Sequence, residues 1–76
     1  MILLADSMIQ IVASGGGLII DLNKTTLMSD TMIQIAAAAG RSGAKVVFKL
    51  GSKILMSDTM IQIAAAGRGN VIFDIS

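Results

Sequence analysis

The stretch Leu27-Met-Ser-Asp-Thr-Met-Ile-Gln-Ile-Ala-Ala-Ala38 recurs without change at Leu55 to Ala66, and a weaker copy stands at Leu3-Leu-Ala-Asp-Ser-Met-Ile-Gln-Ile-Val-Ala13. Anchoring the copies on Met-Ile-Gln-Ile brings Met8, Met32 and Met60 into register, with periods of 24 and 28 residues. Periods of ~20–50 residues mark stacked supersecondary units, none of which can bury its apolar face alone. The 76 residues therefore divide into three units, about 3–26, 27–53 and 54–76. A chain this short holds one domain, with no room for a linker.

The first half of each unit has helical spacing. At ~100° per residue, Met32, Ile33, Ile35, Ala36 and Ala39 share one side, and Asp30, Thr31, Gln34, Ala37 and Ala38 the other. Asp6, Asp30 and Asp58 stand at the helix start in all three units. A carboxylate there can accept from the unsatisfied N–H groups of the first turn and suits the positive end of the dipole, so these residues are expected to cap the helices. Glycines are expected to close them, at Gly15 to Gly17, Gly40 and Gly67.

The second half of each unit alternates as a strand does. Aligned, the segments are Gly17-Leu-Ile-Ile-Asp-Leu-Asn23, Lys45-Val-Val-Phe-Lys-Leu-Gly51 and Asn70-Val-Ile-Phe-Asp-Ile-Ser76. One face carries Leu18, Ile20 and Leu22, then Val46, Phe48 and Leu50, then Val71, Phe73 and Ile75, and belongs under the helices. The other carries Ile19 and Asp21, Val47 and Lys49, Ile72 and Asp74, a mixture that no second helical layer covers. The expected fold is α/β: three helix–strand units, right-handed crossovers and a three-stranded parallel sheet of order 1-2-3 with all helices on one face. Asp21, Lys49 and Asp74 then form a cross-strand charge ladder, each opposite-charge neighbour contributing roughly 0.2–1 kcal/mol.

The helix-plus-strand period resembles a leucine-rich-repeat solenoid, whose units run to ~20–29 residues. Ile20, Leu22 and Leu27 match later apolar positions of that pattern, as do Phe48, Leu50 and Leu55. Thr25 and Lys53 stand in place of its Asn, and Lys45 in place of an earlier Leu. The resemblance covers the whole chain and implies a stacked, solenoid-like architecture, without implying an activity. The short, repetitive, apolar chain is also similar to small bacterial proteins of unknown function, including those carried on integron gene cassettes.

Composition narrows the chemistry. The chain has no Cys, His, Glu, Trp, Tyr or Pro, is 54% apolar and only 14% charged, and carries a net charge of +1. No thiolate or imidazole is available to hold a metal, and no cofactor is expected. The glycine runs follow helices and precede strands, whereas phosphate cradles lie between a strand and the next helix, so they read as turns. Arg41, Lys45, Lys49 and Lys53 gather in the middle unit without aromatic platforms, which disfavours nucleic acid. The five Asp residues show no pairing of one raised and one ionised carboxyl group, so no catalytic residue is assigned. An active site completed across subunits is a minor alternative. The start of the chain has no basic n-region and meets Asp6, and no run of ~20 apolar residues spans a membrane, so a cytoplasmic location is expected.

Self-association is the leading functional expectation. A core below ~70–80 residues rarely supplies more than ~3–5 kcal/mol, and without disulfides or metals oligomerisation is the remaining support. Two surfaces qualify. On the helices, Gln34, Ala37, Ala38, Gln62, Ala65 and Ala66 offer small residues and amides where Lys and Glu would be usual. On the sheet, Ile19, Val47 and Ile72 form an apolar row beside Asp21, Lys49 and Asp74, and Val71 to Ile75 form an edge strand without Pro or Lys to block pairing. The expected partner is the chain itself, as a homodimer or larger. The alternative is a small-ligand or peptide binding module, its site on the open sheet face or between subunits, with Lys45 and Lys49 meeting an anionic group.

Overall fold

The computed structural model describes residues 4–75. Its elements run α1 (Ala5–Ala13), β1 (Leu18–Asp21), α2 (Ser29–Ser42), β2 (Val46–Lys49), α3 (Ser57–Gly67) and β3 (Val71–Asp74). All three strands are parallel, in the order β1-β2-β3. The register aligns Ile19, Val47 and Ile72 across the sheet, and likewise Asp21, Lys49 and Asp74. Both rows are the ones that strand alternation predicts.

The two faces of the sheet differ sharply. Ile20, Leu22, Val46, Phe48 and Leu50 are buried in one cluster with Met8 and Val12 of α1, five residues of α2, Ala44 after it, and Ile63 of α3. Leu18, Val71 and Phe73 pack against that cluster and are half-buried. The Phe48 and Phe73 rings stack with centroids 6.0 Å apart. On the opposite face Ile19, Lys49 and Ile72 are exposed.

The helix starts depart from the expectation. Leu4, Met28 and Met56 occupy the N-cap positions, each with extended backbone and no side chain able to cap. Their carbonyls accept from the N–H groups of Met8, Met32 and Met60 at 3.0, 3.1 and 3.0 Å. Asp6, Asp30 and Asp58 lie one residue inside the helix, in its first turn, rather than at the cap. Among the described residues their carboxylates take no hydrogen bond, so what they contribute is charge beside the positive end of the dipole. The reason is geometric. A side chain caps by accepting from backbone N–H groups of the first turn, which requires its own residue to be extended, and here the extended residue is the apolar one that follows half-buried Leu27 and Leu55.

The helix ends need a second correction. α2 runs through Gly40 to Ser42 and is closed by Gly43 in the left-handed conformation, at φ 83°. Gly40 matters instead for packing, since a Cβ there would lie 2.6 Å from the Ala66 carbonyl oxygen of α3. Glycine in a helix interior costs about 0.5–1 kcal/mol relative to Ala, and here it lets two helices approach closely. α3 does end at Gly67, but the left-handed cap is Arg68, at φ 51°.

Polar side chains tie neighbouring units together. Ser42 Oγ donates to the Val12 carbonyl at 2.6 Å, and Asn70 Nδ2 donates to the Ala39 carbonyl at 3.0 Å. Each bond adds a second donor to a carbonyl near the C-terminal end of the helix in the preceding unit, beside the backbone N–H of Gly15 or Gly43 that the carbonyl already accepts. At the other end of the strands, Asn23 Nδ2 donates to the Leu50 carbonyl at 2.7 Å and its Oδ1 accepts from Ser52 Oγ at 3.0 Å.

Candidate interaction surfaces

On the helical layer, Gln34 and Gln62 are exposed, together with Ala65, while Ala37 and Ala66 are half-buried. Ala38 leaves the candidate set, because it is fully buried. α2 lies between α1 and α3 and is packed on both flanks. Ala36 and Gly40 face α3, where the Ala66 and Gly67 backbone approaches them. Ala38 lies one turn before Ser42, whose hydroxyl reaches α1, so it faces the opposite flank. Dividing the helix into one inner and one outer half overlooks this lateral burial.

On the open sheet face the apolar row is uneven, with Ile19 and Ile72 exposed and Val47 half-buried between them. Asp21 is held below the ordinary carboxylate value, chiefly by the Asn23 backbone N–H, which donates to Oδ1 at 2.9 Å. Partial burial opposes that shift, while the Asn23 side chain, Lys24 and Lys49 reinforce it. An anchored carboxylate of lowered pKa is a poor proton donor near neutrality, which does not suit it to acid catalysis. Lys45 Nζ donates to Asn70 Oδ1 at 2.7 Å, so of the two lysines expected to meet an anion, one is engaged with a neighbouring unit. Arg41, Lys45, Lys49 and Lys53 are spread along the chain from the end of α2 to the loop after β2, and all four are exposed.

Two further apolar surfaces escape a reading of the sequence unit by unit. The N-cap residues Leu4, Met28 and Met56 are exposed in equivalent positions at the start of the three helices. The other surface is the flank of α3 away from α2, where Ile61 and Ala64 are exposed and Met60 is half-buried. Beside it runs β3, whose outer edge has no partner strand among the described residues. The signal for this flank was present in the repeat itself. In the middle unit Met32 and Ala36 are buried, with Gly67 of the following unit against Ala36, and Ile33 is half-buried.

An open cleft of about 620 Å³ lies where α1 begins and β1 ends, lined by Leu4, Met8, Ile20, Asp21, Lys24 and Leu27 among others. Among the described residues no group of three acidic side chains converges as a metal site would require. No helix among them is long and apolar enough to cross a membrane. Comparison of the chain with known protein families, curated proteins and solved structures gives no match.

Proposed function

We propose that this chain is a self-associating, solenoid-like αβ-repeat protein with a structural or interaction role and no catalytic role of its own. One observation carries the reading. Among the described residues eight large apolar side chains are exposed: Leu4, Ile19, Met28, Ile54, Met56, Ile61, Ile72 and Ile75. Single exposed apolar residues are ordinary, but contiguous groups mark contact surfaces. Of these, Leu4, Met28 and Met56 recur at equivalent positions of the three units, and Ile19 and Ile72 share one row of the sheet. The leucine-rich-repeat-like period fits the same reading, since stacked units leave unfilled flanks at both ends unless polar caps cover them.

Light scattering over a dilution series tests the proposal. The expected result is a dimer or larger species at micromolar concentration whose dissociation is accompanied by loss of stability. A folded monomer at every concentration would end it.

The cleft beside β1 favours a second reading, a binding module for a small ligand or peptide, because apolar walls there meet Asp21 and Lys24. A ligand that raises the melting temperature of a chain whose mass stays monomeric would support this reading over the first.

A further inference from the structure

We infer that the outer flank of α3 and the outer edge of β3 form the contact surface for a second copy of this chain, related by a two-fold axis through Phe73. The inference rests on the self-association reading above and specifies its surface.

The molecule itself shows what fits this flank. Leu27 to Ala38 and Leu55 to Ala66 are identical in sequence. In α2 the α3 backbone approaches Ala36 and Gly40, with Ala36 fully buried, and Ile33 on the same flank is half-buried against the core. In α3 the equivalent residues are Ile61, Ala64 and Arg68, and all three are exposed. The strands repeat the contrast. Phe48 and Leu50 are buried, whereas Phe73 is half-buried and Ile75 is 74% exposed. A helix and strand of this chain's own sequence therefore cover the matching flank one unit earlier, and a second copy brings the same elements.

Charge and symmetry select the orientation. Continuing the observed parallel register, β1 of a second copy would align its Asp21 with Asp74, as Asp21 aligns with Lys49 and Lys49 with Asp74. Like charges directly opposite one another are destabilising, and head-to-tail addition leaves free ends unless its rotation completes a ring. Antiparallel addition of β3 to β3 avoids both problems. The Asn70 and Asp74 carbonyls accept from Val46 and Leu50 of β2, so by alternation the backbone groups of Val71 and Phe73 point outward. Pairing Phe73 with its own symmetry mate then sets Val71 opposite Ile75 on the inner face and Ile72 opposite Asp74 on the outer one. No like charges meet, the sheet becomes six-stranded, and the two α3 helices pack side by side on the same face.

The test uses single substitutions at exposed positions, read by light scattering with circular dichroism to monitor the fold. Ile61→Lys should weaken dimerisation by roughly tenfold or more, since it removes one large apolar contact from each side. Ile19→Lys on the sheet face and Gln34→Lys on the outer helix face should leave it unchanged. Because the chain has no cysteine, Ile61→Cys introduces a unique thiol, and a short bis-maleimide should join two copies through it. That result decides the matter if Ile61→Lys fails to fold. A dimer indifferent to Ile61→Lys, lost on Ile19→Lys or Gln34→Lys, or not cross-linked through position 61 would overturn the surface and leave self-association standing. Growth into open polymers would overturn the two-fold arrangement. A wild-type monomer would overturn both proposals.

Discussion

The twelve residues from Leu27 to Ala38 and the twelve from Leu55 to Ala66 are one sequence in two environments. In the middle unit Met32, Ile35, Ala36 and Ala38 are buried, whereas in the last unit only Ile63 of the matching four is. Propensity and amphipathic pattern cannot differ between them, so the difference is one of neighbours. α2 packs against α1 on one flank and α3 on the other, while α3 packs against α2 alone among the helices. Pattern thus determines which side of a helix meets the sheet, and place in the stack determines how far round the helix burial extends.

The sharpest way to break the comparison is to make one substitution at both copies. Ala36→Glu places an unpaired carboxylate between α2 and α3 and should cost about 3–5 kcal/mol, enough to unfold a chain of this size. Ala64→Glu should change monomer stability by less than ~0.5 kcal/mol, as surface substitutions do. Urea denaturation of both variants reads the difference, and equal losses would show that the two flanks are not distinct.

Gly40→Ala probes the approach of α2 to α3. The added methyl meets the Ala66 carbonyl, so the helices must separate, at a cost of about 1–3 kcal/mol. Thermal unfolding would register this as a lowered Tm, whereas a raised one would mean that helix propensity outweighs the contact. Smaller effects are expected from the ties between units. Ser42→Ala and Asn70→Ala each remove a bond to a carbonyl near the end of the helix in the preceding unit and should cost about 0.5–1.5 kcal/mol in urea denaturation.

The smallest effect is electrostatic, at the far edge of the sheet from α3. Asp21 has a folded-state pKa below its ordinary value of about 3.9. Its anchoring to Asn23 therefore stabilises the fold fully above the unfolded value, and this contribution fades as pH falls through the folded one. Between about pH 5 and pH 3, wild type should lose more stability than Asp21→Asn, measured by denaturation at each pH. Parallel losses would mean that the Asn23 contact makes no difference.

Most of the frame was legible from residues alone. Alternation in Leu18 to Leu22, Val46 to Leu50 and Val71 to Ile75 determines the inner face and the register, because a slip of one residue would turn every apolar side chain outward. The alignment of Asp21, Lys49 and Asp74 follows from the same alternation. Helix boundaries were less legible. Gly40 looks like a stop, yet its value lies in the absence of a Cβ where Ala66 approaches, a contact 26 residues away that no local pattern encodes. The caps misled for a related reason: Asp is a good capping residue, but the extended position fell to Met28 and Met56. On the candidate surfaces, the outer helix face was legible as far as Gln34 and Gln62. The burial of Ala38 was not, because it depends on what lies beside the helix.

The central claim, that a second copy covers the outer flank of α3 and pairs antiparallel with the edge of β3, is tested most directly by amide hydrogen exchange. The groups to follow are the Val71 and Phe73 N–H groups, whose exchange would be recorded by nuclear magnetic resonance across a concentration series. The account predicts protection that rises with concentration at these two amides while the amides of β2 stay protected throughout. Rapid exchange at Val71 and Phe73 at every concentration, in a chain that scatters as a dimer, would contradict it.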